Sequence, residues 1–154
     1  MTPAEYAAAT ERREAEVARE LGRLMPGEAA RERARRETAR FLPDGLGTAR
    51  HHLVAAQDPS GLVVGDAWIG PDPHQAPEAA DTAWLYDLEV RAGFRRRGYG
   101  SAILAAAEAP AAREGWTALG LNVFGGNEAA VALYRRSGYG VASMSMRKDV
   151  RPAR

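Results

Sequence analysis

The stretch 82–124 constrains the fold most, because strand, turn, helix and strand patterns follow one another within it. Thr82–Val90 and residues 118–124 carry apolar runs typical of buried strands, and residues 98–114 carry an apolar stripe at helical spacing. Two strands joined through a helix pair in parallel within one sheet. The sequence therefore predicts a mixed α/β domain. Pro110, inside the helix pattern, removes a backbone donor and predicts a kink or an early end near Ala109.

The rest of the chain carries further periodic segments. Two charged, amphipathic helices are predicted up to residue 42, the first beginning at the capping residue Thr2. A hairpin is predicted from strands over 52–56 and 62–69, followed by a short helix over 127–137 and a final strand over 139–148. Because helical signals begin at Thr2, no strand is apparent before the first helix, which leaves the sheet one strand short or its strand order altered. The many arginines and glutamates of the N-terminal helices favour a solvated face with i,i+4 pairs, and a substrate-facing surface is the alternative.

Composition excludes several chemistries. The 154 residues carry a formal net charge of +1, which gives no general attraction to nucleic acid or anionic lipid. The absence of cysteine excludes a disulfide framework and a thiol nucleophile. His51, His52 and His74 lack the spacing of a metal site, so no metal is expected. A charged N-terminal region without a signal-peptide pattern makes a cytoplasmic location the expectation, with no membrane partner.

The turn between strand and helix has the composition of an anion site. Unpaired N–H groups at a helix start, together with the helix dipole, favour a phosphate, and glycine lets the backbone approach it closely. A P-loop or dinucleotide fingerprint fits less well, because Gly100 is followed by Ser101 and Ile103 is not small. A nucleic-acid patch and a solvated turn remain alternatives. The residues that suit a diphosphate here are Arg95, Arg96, Arg97, Gly98 and Gly100.

These residues resemble the GCN5-related N-acetyltransferase (GNAT) superfamily. Its coenzyme motif Q/R-x-x-G-x-G/A is matched by residues 95–100, at the family's distance from the strand 85–90. The similarity continues through residues 121–124, 127–134 and 137–139. The resemblance implies one GNAT domain over 1–154, with splayed central strands and helices on both faces. Residues 1–45 would form acceptor-side helices, and residues 83–139 would form the acetyl-CoA-binding core.

The resemblance also implies roles for single residues. Main-chain groups around Val90 would hold the pantetheine arm and polarise the thioester carbonyl, the turn would hold the pyrophosphate, and Tyr134 would protonate the departing thiolate. Asn127 has a second interpretation as a helix N-cap, and Tyr134 has one as a packing residue. The implied cofactor-binding residues are Leu88, Glu89, Val90, Arg95, Arg96, Arg97, Gly98, Tyr99, Gly100, Ser101, Asn127 and Tyr134.

The resulting functional hypothesis is an acetyl-CoA-dependent N-acetyltransferase acting on a primary amine. Without cysteine to carry the acetyl group, transfer would be direct, in a ternary complex. The base is unassigned: relatives often have a glutamate at the position of Asn122, and Asp87 or Glu89 are substitutes. A non-catalytic acyl-CoA sensor and a nucleic-acid-binding protein are the alternatives from other classes, and interleaved glutamates argue against the second. The resemblance makes a homodimer one expected assembly.

Overall fold

The computed structural model describes residues 1–22, 25–76, 79–146 and 148. The chain forms two compact units, Met1–Asn122 and Val123–Arg154. The first contains helices α1 (Pro3–Leu21) and α2 (Gly27–Phe41), strands β1 (His52–Gln57), β2 (Val63–Pro71) and β3 (Thr82–Val90), helix α3 (Tyr99–Arg113) and strand β4 (Ala118–Leu121). The second contains helix α4 (Glu128–Arg136).

The sheet of the first unit has the order β1-β2-β3-β4. β1 and β2 form the predicted antiparallel hairpin, whose turn is held by Asp58: its carboxylate accepts from the amides of Ser60 and Leu62. β2 and β3 are also antiparallel, whereas β3 and β4 are parallel, as the intervening helix predicted. In the described part of the chain no strand precedes α1, in agreement with the early helical signals.

Helices cover both faces of this sheet. The Ile103 side chain of α3 lies against Gly65 of β2, whereas Arg12 of α1 bonds to the neighbouring residue, Asp66. Because successive strand residues point to opposite faces, α1 and α3 lie on opposite sides of the sheet. This confirms the predicted mixed α/β fold class with helices on both faces. The largest fully buried side chains are Ile69, Leu104 and Val64.

The predicted early end of the helix near Ala109 was wrong, whereas the alternative of a kink there stays a prediction. α3 runs to Arg113 with Pro110 inside it, and the amide of Glu114 still donates to the Pro110 carbonyl at 3.1 Å. Pro110 and Ala111 are buried on the sheet-facing side of the helix together with Ile103 and Leu104. Packing of this stripe offsets the one lost hydrogen bond, which lies in the last turn of the helix.

In the second unit, Asn127 caps α4: its side-chain oxygen accepts from the amide of Ala130 at 3.2 Å. The final strand predicted over 139–148 is wrong for the described residues, since 140–146 and 148 are in no strand. Val141, Met144 and Met146 are exposed there, so the alternating pattern does not bury one face of the segment. A period of two specifies a strand only where a neighbouring strand pairs with it. Arg147, Asp149 and Val150 lie outside the described residues.

Candidate active site

The turn into α3 exposes main-chain donors. Gly98 is the N-cap residue at φ 84°, it makes no side-chain capping bond, and the Ala102 amide donates to its carbonyl to begin the helix. A Cβ placed on Gly98 would meet no heavy atom within 4 Å, so the protein leaves space beside it. The first amides of the helix therefore present a partial positive charge toward open space. A diphosphate fits such a cradle.

The arginines of this turn are not equivalent. Arg95 donates through Nε to the carbonyl of Val90 at 2.9 Å, and Arg97 stacks over the ring of Phe94 at 5.8 Å. Arg96 adopts φ 63°, a left-handed conformation that costs a residue with a Cβ about 1–2 kcal/mol. The predicted arginine cluster thus consists of one residue tied to strand β3, one packed on a ring and one in a strained turn.

One edge of β3 is open beyond its pairing with β4. β4 pairs only with Thr82–Leu85 in the described part of the chain, and five further residues of β3 follow. On the other edge, the Arg91 amide donates to the Val64 carbonyl of β2. In an antiparallel pair every second residue directs its main-chain N–H and C=O groups toward the partner strand, so Glu89, two residues before Arg91, also faces β2. The same alternation turns the main-chain groups of Leu88 and Val90 toward the open edge.

A β-bulge on β3 sets which side chains share a face. Trp68 of β2 pairs with Asp87 and Ile69 pairs with Leu85, which leaves Tyr86 as the extra residue. Tyr86 stacks on the Trp68 ring with centroids 4.5 Å apart. Tyr86 therefore shares the α1 side of the sheet with Asp87, although strict alternation would place them on opposite faces.

Five charged side chains form a cluster between α1 and the sheet. Arg12 bridges two carboxylates, donating through Nη2 to Asp66 at 2.7 Å and through Nε to Glu89 at 2.8 Å. Arg13 donates through Nε to Asp87 at 3.1 Å and stacks over Trp68 at 4.7 Å. Three carboxylates thus face two guanidiniums, which leaves one negative charge in excess.

Burial controls the electrostatics of this cluster. Asp66 is 2% exposed, and burial raises the pKa of its carboxyl against the lowering effect of Arg12. Burial likewise raises the pKa of Asp87, against the opposing effect of Arg13. The Arg13 side chain is only 7% exposed, and its Nη1 has no hydrogen-bond partner among the described residues. A buried guanidinium donor ordinarily has an oxygen acceptor, so this atom indicates a place for one.

Beside the cluster, His51 lies among aromatic rings. Trp68 donates through Nε1 to His51 Nδ1 at 2.9 Å, which requires that nitrogen to be unprotonated. Burial, with a smaller contribution from the charge of His52, lowers the pKa of His51 to about 4. Because the pKa is lower in the folded than in the unfolded protein, its contribution to stability is complete above about pH 6.5. That contribution is lost as the pH falls toward 4.

The sequence interpretation of the N-terminal arginines as a solvated face holds only in part. Arg33 pairs with Glu37 at helical spacing, as expected, but Arg12 and Arg13 reach across to the sheet. The sequence signal for these contacts is Asp66, which lies inside the apolar strand β2, since a buried carboxylate requires a cationic partner. Among the described residues no three or more His, Cys, Asp or Glu side chains are placed so that they could hold a metal ion together. No described helix is both long and apolar enough to cross a bilayer.

Asn127 and Tyr134 belong to the second unit. They lie at the start and within the last turns of α4, and the Tyr134 ring contacts that of Tyr139 at a centroid distance of 5.7 Å. Both alternative interpretations thus have a structural basis: Asn127 is an N-cap and Tyr134 packs on a ring. Each residue can fill this structural role and also contact a coenzyme.

Comparison with known proteins agrees with the fold. The sequence profile of the Acetyltransferase (GNAT) family matches residues 15–139, which span the boundary between the two units. The chain belongs to this family of acetyltransferases. Its relatives in Bacillus subtilis (strain 168) include YycN, named an uncharacterized N-acetyltransferase, which is 32% identical over 110 residues, 71% of this chain and 69% of YycN.

A second relative from the same bacterium, YdgE, bears the same description and is 30% identical over 111 residues, covering 71% of this chain and 68% of YdgE. The crystal structure of YycN superimposes with a TM-score of 0.85 and 27% identity, covering 97% of this chain and 95% of YycN. AAC(6')-Iy, solved in complex with a bisubstrate analog of coenzyme A, shares the fold at a TM-score of 0.58 and 15% identity, over 78% of this chain and 80% of that one.

Proposed function

We propose that this protein transfers the acetyl group of acetyl-CoA to a primary amine. The observation that carries the proposal is a juxtaposition in the chain: the uncapped start of α3 at Gly98 follows closely on the open edge of β3 at Leu88 and Val90. One feature suits a diphosphate, and the other suits an extended, amide-containing chain that pairs like an additional strand. Coenzyme A carries both groups, joined in that order.

The turn and the strand have separate proposed roles. The amides of Tyr99, Gly100 and Ser101 would bind the pyrophosphate, with Arg96 and Arg97 adding positive charge. The main chains of Leu88 and Val90 would hold the pantetheine arm, and the Val90 amide would stabilise the oxyanion.

The edge at Val90 is already engaged by a side chain. The bond from Arg95 to the Val90 carbonyl ties the turn to the end of β3, so Arg95 would align the two parts of the coenzyme site.

The acyl transfer itself requires two proton movements. The nitrogen of a neutral amine attacks the thioester carbon, and the departing thiolate takes a proton, for which Tyr134 is the proposed donor. Structures such as that of AAC(6')-Iy with a bisubstrate analog support this direct, ternary route in a protein of the same fold. We propose that Asn127 contacts the coenzyme beside Tyr134 in addition to capping α4.

Release of free thiol from acetyl-CoA tests the function. The panel of acceptors comprises spermidine, kanamycin and a short peptide with a free N-terminus and one lysine, and calorimetry measures the affinity for coenzyme A independently. We expect binding of coenzyme A and acceptor-dependent thiol release with at least one amine. Binding without turnover on any amine would instead favour an acyl-CoA sensor, and no binding would reject the coenzyme site.

A further inference from the structure

The charged cluster beneath α1 lies next to the proposed thioester site. Glu89 stands between Leu88 and Val90, whose main chains face the open edge, while its own main chain pairs with β2. Its side chain is 30% exposed and points to the α1 side of the sheet, where Arg12 binds it. Glu89 is therefore the carboxylate of the cluster that is nearest along the strand to the Val90 amide.

Glu89 shares its arginine partner with a second carboxylate. Arg12 and Arg13 of α1, Asp66 of β2 and Asp87 of β3 are the charged groups that face it. Asp66 lies directly across from Glu89 in the sheet and holds Arg12 independently, so Arg12 keeps a partner when Glu89 becomes neutral. The excess negative charge of the cluster favours binding a cation such as an ammonium group.

Among the described residues, a second feature of the cluster is an unpaired donor on its other arginine. Arg13, whose side chain is more than nine-tenths buried, has an Nη1 donor without a partner in the described part of the chain. Such a donor is costly to bury unless an oxygen reaches it. This donor lies on the same side of the sheet as Glu89.

We propose that Glu89 is the base that takes the proton of the acceptor ammonium, with Arg12 as its positioning residue. The inference rests on the proposed function. The ammonium gives one proton to Glu89, its freed lone pair forms the C–N bond, and the C–S bond breaks as the carbonyl re-forms. The nitrogen loses a second proton, which is balanced by the proton that the released thiol gains. Glu89 gives the first proton to solvent.

The test compares Glu89→Gln with Asp87→Asn, using the panel amine that the wild type acetylates fastest. Asp87 is the matched control because it lies on the same strand and face and also bonds to one arginine of α1. At pH 7 we expect Glu89→Gln to lower kcat/KM for the amine about 100-fold or more without changing affinity for coenzyme A. Between its acidic limb and the pKa of the amine, the wild-type rate should be level with pH, whereas the rate of Glu89→Gln should rise tenfold per pH unit over the same range.

The Arg12 substitution separates positioning from damage to the fold. Arg12→Gln removes the cation beside Glu89, so the acidic limb of the rate profile should move to higher pH, whereas misfolding would lower the rate equally at every pH. If the rate of Glu89→Gln stays level with pH, or if the rate of Asp87→Asn rises with pH instead, Glu89 is not the base. Either result leaves the proposed function standing. If the wild type acetylates no amine in the panel, the proposed function fails and this inference falls with it.

Discussion

Replacing Gly98 by alanine tests the coenzyme cradle, and Gly115 provides a control at the other end of α3. Both glycines have positive φ, 84° and 78°, and a Cβ on either would meet nothing within 4 Å. Each substitution therefore carries the same backbone cost, about 1–2 kcal/mol, and no steric clash within the protein. The two variants should lose similar stability, about 2–6 °C in Tm.

Their affinities for coenzyme A should differ. In Gly98→Ala the methyl group occupies the space reserved for the pyrophosphate, so we expect the Kd to rise about 10- to 100-fold, equivalent to about 1.4–2.8 kcal/mol. Gly115→Ala should bind as the wild type does. Calorimetric titration with coenzyme A measures both values, and thermal unfolding checks that the two variants are equally destabilised. Equal affinities of the two variants for coenzyme A would refute the proposal that the pyrophosphate binds at the N-terminus of α3.

Three further outcomes are expected. Acidification from pH 7 to 4 should reduce the free energy of unfolding by about 1–2 kcal/mol less in His51→Phe than in the wild type, after allowance for solvent screening of the charge. The reason is that protonation of His51 breaks its hydrogen bond from Trp68. Equal acid sensitivity of the two proteins in denaturant titrations would contradict this. Gly65→Ala should lower stability by more than about 2 kcal/mol, since its Cβ would lie 2.3 Å from the Glu89 carbonyl oxygen; wild-type stability in urea unfolding would argue against that close approach. Tyr134→Phe should lower kcat about tenfold or more while leaving coenzyme affinity near that of the wild type, and unchanged steady-state turnover would make the tyrosine a packing residue.

Prediction from the sequence succeeded where a signal is local. Thr82–Val90 is a strand with the predicted bounds, and the start of α3 lies within one residue of its prediction. The hairpin turn at Asp58 and the capping box at Thr2 are likewise contained within four or five residues. The proposed phosphate site at the turn also comes from a local signal, because glycine, arginine and a helix start lie together in the chain.

The candidate site needed contacts between distant residues. Arg12 and Asp66 are 54 positions apart, and Arg13 and Asp87 are 74 apart, so no local pattern pairs them. Packing also kept α3 helical through Pro110, against its local preference.

The sequence by itself determined the kinds of element from α1 to α4 and their order, since backbone propensity and side-chain periodicity act over a few residues. The anion site at the turn into α3 is a prediction from the same local signals. Only the tertiary structure decided which side chains face one another. The bulge at Tyr86 reverses the alternation of β3, and the register of β2 against β3 brings Asp66 opposite Glu89. A one-residue change of register would turn every following side chain to the other face, so the sheet, and not the strand, sets the charges beside the proposed thioester site.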